Sequence, residues 1–165
     1  MGSGLALLAV LALGLDPELE ARHLAFPLPA QEVAGLRDSF NERRGDRAHE
    51  AVDIMAPRGT PVYAVDDGRI AKLFLSVAGG KTIYMFDPSQ KYAYYYAHLD
   101  AYVDTLTEGA PIKRGEVIGY VGSTGNAAAG APHLHFAIFR LGPDRRWWKG
   151  EPVDPYPYLA NRDKR

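Results

Sequence analysis

Cysteine is absent from the 165 residues. Its absence excludes disulfide staples, a thiol nucleophile, an iron–sulfur cluster and any thiolate-ligated zinc, so metal chemistry has to come from His, Asp and Glu. A chain of this length buries a sizeable core without disulfides, and one domain with some extra length is expected. The lack of cysteine is compatible with an oxidising compartment without demonstrating one. A charge imbalance is missing too. Lys and Arg number 19 against 20 acidic residues, for a formal net charge of −1, which removes the electrostatic case for nucleic acid. The pairs Arg43-Arg44 and Arg145-Arg146 read as solvated surface. Nor is there a long hydrophobic run. Leu5 to Leu13 is unbroken and apolar, yet crossing a bilayer takes about 20 residues. The run has the length of a signal-peptide core, followed by small-x-small at Ala12-Leu13-Gly14, but no Lys or Arg precedes it. Residues 1–24 are therefore read as a separate N-terminal segment with three alternatives: an export signal, a membrane-anchor remnant, or an amphipathic lead-in helix through Asp16-Pro-Glu-Leu-Glu-Ala-Arg22.

Strand signals fill the rest. Pro61-Val-Tyr-Ala-Val65 ends at the turn Asp66-Asp67-Gly68, and Arg69 to Leu75 follows as a second strand. Lys81–Phe86, Tyr92–His98, Glu116–Val121 and His133–Phe139 give four more, with Gly79-Gly80, Gly109, Gly115, Gly122, Gly125 and Gly130 as punctuation. Short strands at close spacing predict a mainly β domain over residues 25–160, an antiparallel sandwich or barrel-like sheet with little helix. Residues 161–165 form a charged tail. Two stretches, Gly59-Thr-Pro-Val…Asp67-Gly68 and Gly109-Ala-Pro-Ile…Gly115-Glu-Val-Ile-Gly119, read as two hairpins of one style.

Five histidines occur: His23, His49, His98, His133 and His135. His133 and His135 share one face of a strand, and His49 stands four residues before Asp53. Two imidazoles on one face plus a His/Asp pair can close a zinc site, because catalytic zinc takes three protein ligands and keeps a fourth position for water. That water loses its proton near pH ~7 and becomes a nucleophile. Each piece alone is weak, since a lone strand histidine is usually packed or solvent-facing. His49-Glu50-x-x-Asp53 lacks the second His of the helical zincin motif, and Ile54-Met-Ala-Pro57-Arg-Gly59 is poor helix material. Glu50 is accordingly read as a surface carboxylate.

Order and spacing make the set specific. His49-x-x-x-Asp53, Ala56-Pro-Arg-Gly-Thr-Pro-Val62, Asp67-Gly68, Tyr96-Ala-His98-Leu, Gly119-x-x-Gly122-x-Thr-Gly125 and Pro132-His-Leu-His-Phe136 together resemble the lysostaphin/LytM-type peptidases. The tail Pro152-Val-Asp-Pro155-x-Pro-Tyr-Leu159 is similar to the way many of those domains finish, so the likeness covers about residues 45 to 159. The resemblance implies a sheet of the duplicated hybrid motif type, one Zn²⁺ per chain held by His49, Asp53 and His135, and catalytic roles for His98 and His133 beside the metal. Imidazoles titrating near neutral pH supply both a donor and a proton for the tetrahedral oxyanion and the leaving amine. The sequence does not divide base from oxyanion donor between those two.

The implied function is zinc-dependent hydrolysis of peptide cross-bridges or stem peptides of bacterial peptidoglycan, by a monomer in the periplasm, cell envelope or extracellular space. No nucleic acid partner is expected, and membrane anchoring would come through residues 1–24. One departure stands out: the family pattern His-x-Gly-x-Asp carries Ala51 here, a cost if that backbone needs positive φ. The alternative is a non-catalytic LytM-like regulator that activates other wall hydrolases. Such domains have lost part of the His/Asp/His set, which this chain keeps. A lipoyl-type carrier is disfavoured because the Asp66-Asp67-Gly68 turn offers no lysine. Alternation puts Tyr94 and Tyr96 on the face of His98, with Tyr95 opposite, and most of these tyrosines are read as sheet packing. Asn126-Ala-Ala-Ala-Gly130 is read as a loop bordering the cleft.

Overall fold

The computed structural model describes residues 15–32 and 35–160. A short hairpin, β1 (Arg43–Arg44) with β2 (Arg47–Ala48), stands apart from the main sheet. That sheet contains β3 (Val52–Met55), β4 (Pro61–Tyr63), β5 (Gly68–Ser76), β6 (Gly80–Phe86), β7 (Tyr92–Tyr102), β8 (Pro111–Ile112), β9 (Val117–Val121), β10 (His133–Leu141) and β11 (Gly150–Val153). Every pairing is antiparallel, along the path β11-β10-β7-β6-β5-β8, with β3 on β10 and with β9 joining β4 to β7. Among the described residues helix is confined to α1 (Pro17–Glu20), one 3-10 turn at Ala30–Glu32 and α2 (Tyr156–Ala160). The mainly β architecture is as the sequence predicts.

The two stretches read as hairpins do something different. Instead of folding on themselves they pair crosswise, β4 with β9 and β5 with β8. Gly59 and Gly109, each opening one stretch, have φ of +85 and +84. Their matching left-handed backbone lets both chains turn into this exchange without a Cβ penalty. The six expected strands all form, but the pattern missed β3 and the short edges β8 and β11. Two- to four-residue strands carry too little alternation to be seen.

The core lies between the faces of the folded sheet and includes Val52, Ile54, Ile83, Met85, Tyr94, Tyr96, Leu134, Phe136 and Ile138. Tyr94 and Tyr96 bury rings and still satisfy their hydroxyls. Tyr94 donates to Asp66 Oδ2 at 3.0 Å, and Tyr96 accepts from the Val65 amide at 3.0 Å. Asp66 is thus more than a turn residue: it is buried and also ion-paired to Arg114 at 3.2 Å.

The segment drawn at residues 1–24 divides. Residues 1–14, including Leu5–Leu13, and the tail 161–165 lie outside the described residues. Residues 15–24 pack against the sheet: Leu19 is fully buried, Leu24 nearly so, and Arg22 meets the buried Asp87 at 2.6 Å. Asp16 caps α1 through the Glu18 amide and binds Tyr92 and Arg140 through Oδ2. Among the described residues no helix is long and apolar enough to cross a membrane. Trp147 lies over Phe74 and Tyr84, while Trp148 is 59% exposed.

Candidate metal centre

Three neighbouring strands and one turn bring the five predicted site residues together. His133 and His135 stand on β10, and cross-strand register sets His135 directly opposite Asp53 on β3. His49 follows β2, where its amide bonds to the Glu42 carbonyl and that of Glu50 to the Phe40 carbonyl. The turn is tight. It is Glu50, at φ 58, that takes the left-handed backbone, and Ala51 does not. Ala51 is fully buried, so its methyl group fits, and the cost attached to losing glycine there does not arise. Glu50 is exposed, in line with a surface carboxylate.

His49 Nε2, Asp53 Oδ1 and His135 Nδ1 form a triangle whose three edges are each 3.1 Å. Four ligands at about 2.05 Å around a tetrahedral ion lie about 3.3 Å apart. These residues therefore could hold a metal ion with little movement. His49 Nδ1 donates to the Ser39 carbonyl at 3.1 Å, which leaves Nε2 unprotonated toward the centre of the triangle. Burial pushes the Asp53 carboxyl up, but its contacts with the His135 and His49 rings, in their protonated forms, outweigh that and hold it well below the usual carboxylate range. Its second oxygen accepts from Arg44 at 2.9 Å, so Arg44 is more than solvated surface.

His98 and His133 flank the triangle. His133 Nδ1 donates to the Ala131 carbonyl at 3.0 Å, and its Nε2 stands 3.7 Å from Asp53 Oδ1. His98 Nδ1 donates to the Thr124 carbonyl at 2.8 Å, and its ring lies 4.9 Å from that of His133. Burial lowers the pKa of His98, and the positive charges of its histidine neighbours push the same way against the Thr124 bond. With both Nδ1 atoms tied to carbonyls, each neutral ring offers Nε2 as the acceptor.

Strand alternation misplaces His98. Its φ of 59 interrupts β7, and pairing shifts register beside it on both β6 and β9. This bulge turns His98 to the face of Tyr95, which lines the cleft, away from the buried Tyr94 and Tyr96. A second contact fixes it: the His98 amide donates to the Gly79 carbonyl at 2.8 Å. Around this point Gly80 and Gly125 interlock, both at positive φ, and a Cβ on either would overlap the other's backbone. The motif glycine thus holds the loop that holds His98.

The five residues open onto a cleft of about 820 Å³. Tyr95, Ala97 and Met55 form part of its wall, Asn126, Ala127 and Ala128 border it as the loop composition predicts, and Arg37 and Arg44 stand in it as well. No motif or spacing pointed to Arg37.

The chain is similar to known proteins. The chain is 33% identical over 143 residues to the L-Ala–D-Glu endopeptidase of Bacillus subtilis, covering 82% of this chain but 42% of that protein. Among solved structures it resembles the antimicrobial peptidase lysostaphin from Staphylococcus simulans, with a TM-score of 0.64, 29% identity, and coverage of 77% of this chain and 49% of that one. A zinc containing peptidase from Vibrio cholerae gives 0.61 and 25%, over 78% of this chain and 37% of the other. The chain thus spans less than half the length of these relatives. The model of peptidase family M23 matches residues 47–155, and the chain belongs to that family.

Proposed function

We propose that this chain is a zinc-dependent endopeptidase that cuts peptide bonds of bacterial peptidoglycan outside the cytoplasm, with His49, Asp53 and His135 holding one zinc ion. The observation that carries the reading is the triangle of three ligand atoms at 3.1 Å with two further imidazoles beside it on an open cleft. Zinc, when bound, supplies a Lewis acid and a water acidified to near pH ~7. The chain's own groups do the rest. His98 Nε2, kept neutral by burial, takes a proton and passes it to the leaving amine; His133, at the edge of the triangle, donates from Nε2 to the developing oxyanion in its protonated form, with Nδ1 still bound to the Ala131 carbonyl. Their fixed Nδ1 bonds hold both rings in orientation, and Tyr95 with the 126–128 loop seats an extended peptide between them.

The test is elemental analysis of the purified protein, then digestion of purified peptidoglycan with and without a chelator. About one zinc per chain and chelator-sensitive release of muropeptides are expected. His49→Ala and His135→Ala should lose zinc and activity together, whereas His133→Ala should keep zinc and lose turnover. Stoichiometric zinc in His49→Ala would sink the ligand set. Neither zinc nor digestion in the native chain would leave the regulator reading, in which the domain binds and activates another wall hydrolase.

A further inference from the structure

We propose that Arg37 and Arg44 form a carboxylate-binding subsite at the rim of the cleft, so that the preferred peptide carries a free carboxylate near the scissile bond, as an acidic stem peptide does and a glycine bridge does not. This rests on the peptidase reading and narrows its substrate class.

The lining of the cleft supports it. Apart from the five site residues and two arginines, the side chains that face it are neutral: Met55, Tyr95, Asn126, Ala127, Ala128 and Ala131 among them. Arg37 and Arg44 are the cationic side chains of that lining, and Asp53 is its carboxylate. Both arginines share one acid outside it, Glu42, at 2.9 Å and 3.2 Å. One carboxylate between two guanidinium groups leaves a positive charge uncompensated, because Asp53 is itself offset by the metal it would hold.

The two arginines differ in how they are fixed. Arg44 spends one nitrogen, Nη2, on both Glu42 and Asp53, which orients its plane. Nη1 and Nε make no bond among the described residues, and a guanidinium carries five donors in a fixed fork suited to a carboxylate. Contact with Asp53 fixes the position of Arg44 alone. Arg37 does not touch Asp53, its side chain is 78% exposed, and a role in folding the core does not explain it. Its place beside a rigidly held second arginine does suit capture of an anion. A peptide lying along Tyr95 and the 126–128 loop toward β1 brings a side-chain or terminal carboxylate to this edge.

The experiment compares two synthetic stem tetrapeptides, L-Ala-γ-D-Glu-L-Lys-D-Ala with its carboxyls free and the same peptide with all of them amidated. Binding is measured by calorimetry on metal-free protein, which does not consume the peptide, and turnover on zinc-loaded protein with pentaglycine as a third substrate. The acidic peptide should bind about two- to five-fold more tightly than the amidated one, with a preference that falls as salt rises. Arg37→Glu should abolish that preference while zinc content and melting temperature stay unchanged, and Arg37→Gln should reduce it. Equal binding of the two peptides by the native protein, or a preference unaltered in Arg37→Glu, overturns the subsite. Turnover without preference defeats the subsite alone. An Arg37-dependent preference without turnover of any peptide leaves the subsite standing and defeats the peptidase reading.

Discussion

Glu50 and Ala51 show how one residue of displacement changes an energetic argument. The sequence reading puts the special position at 51, where the His-x-Gly-x-Asp pattern it resembles has glycine. The structure puts the left-handed φ at 50, and Ala51 has an ordinary backbone with a buried methyl group. Glu50→Gly should therefore raise stability by up to about 1 kcal/mol, by relieving a conformation that costs an L-residue about that much. Ala51→Gly should lower it by about 1–2 kcal/mol, from lost methyl burial and added chain entropy. Urea unfolding of the two variants checks both signs, and a stabilising Ala51→Gly would mean the strain was assigned to the wrong residue. The same scale separates what was readable in the site. His49, Asp53, His133 and His135 were picked out through resemblance to a family pattern, in which local pairs, four apart and two apart, fall in the expected order; the spacings alone were weak. Arg44 and Arg37 were not picked out, because long flexible side chains reach Asp53 and Glu42 in ways no spacing rule encodes.

At the level of elements, the β7 bulge decides which tyrosine shares the cleft with His98. Perfect alternation would have put His98 with Tyr94 and Tyr96; the φ of 59 at His98 makes it a neighbour of Tyr95. Period-two reasoning cannot see a bulge, which inserts its own phase shift. Gly80 and Gly125 guard that geometry. Gly125→Ala should push the 122–126 loop off the 78–80 turn, since the new Cβ would lie 2.7 Å from the Gly79 carbonyl carbon. Turnover should fall by about ten-fold or more, as expected for a misplaced catalytic group, with zinc content retained. Unchanged turnover would show that Thr124 does not position His98. The N-terminal element makes a second prediction. A chain beginning at residue 25 loses Leu19, Leu24 and the Arg22–Asp87 pair. Each buried leucine contributes about 1.5–3 kcal/mol, so its melting temperature should drop by about 10 °C or more relative to a chain beginning at residue 15. Equal melting temperatures would make residues 15–24 dispensable. The sequence reading joined this stretch to the apolar run before it, because Leu19 and Leu24 lie too far apart to show a buried face.

For the whole molecule, fold class followed from strand spacing and glycine punctuation, but topology did not, because crosswise partners lie far apart in the chain. One staple ties the ends of the described fold together. Asp16 meets Tyr92 and Arg140, and its amide donates to the Tyr158 hydroxyl at 2.8 Å. Burial raises the Asp16 pKa, but the bonds from Tyr92 and Arg140 outweigh it and leave the value lowered. A carboxylate whose pKa falls on folding contributes fully above its unfolded value of ~3.9 and loses that contribution as pH drops through the folded value. Asp16→Asn should therefore destabilise at neutral pH by about 1–3 kcal/mol, and the gap to the native chain should narrow below about pH 4. Thermal melts across pH 2 to 7, pH values of the experiment chosen to span ~3.9, read this directly; a constant gap would remove the charge from the explanation. The crosswise pairing has a consequence in time. Pro61 on β4 finds its partner Tyr120 about sixty residues later, and Asp53 meets His135 later still. Contacts so distant in sequence form slowly. During synthesis the first half of the chain can close only short hairpins such as β1–β2 and β5–β6, and the ligand triangle assembles only once β10 has been made, so a metal held by all three residues would enter after that strand and not before it.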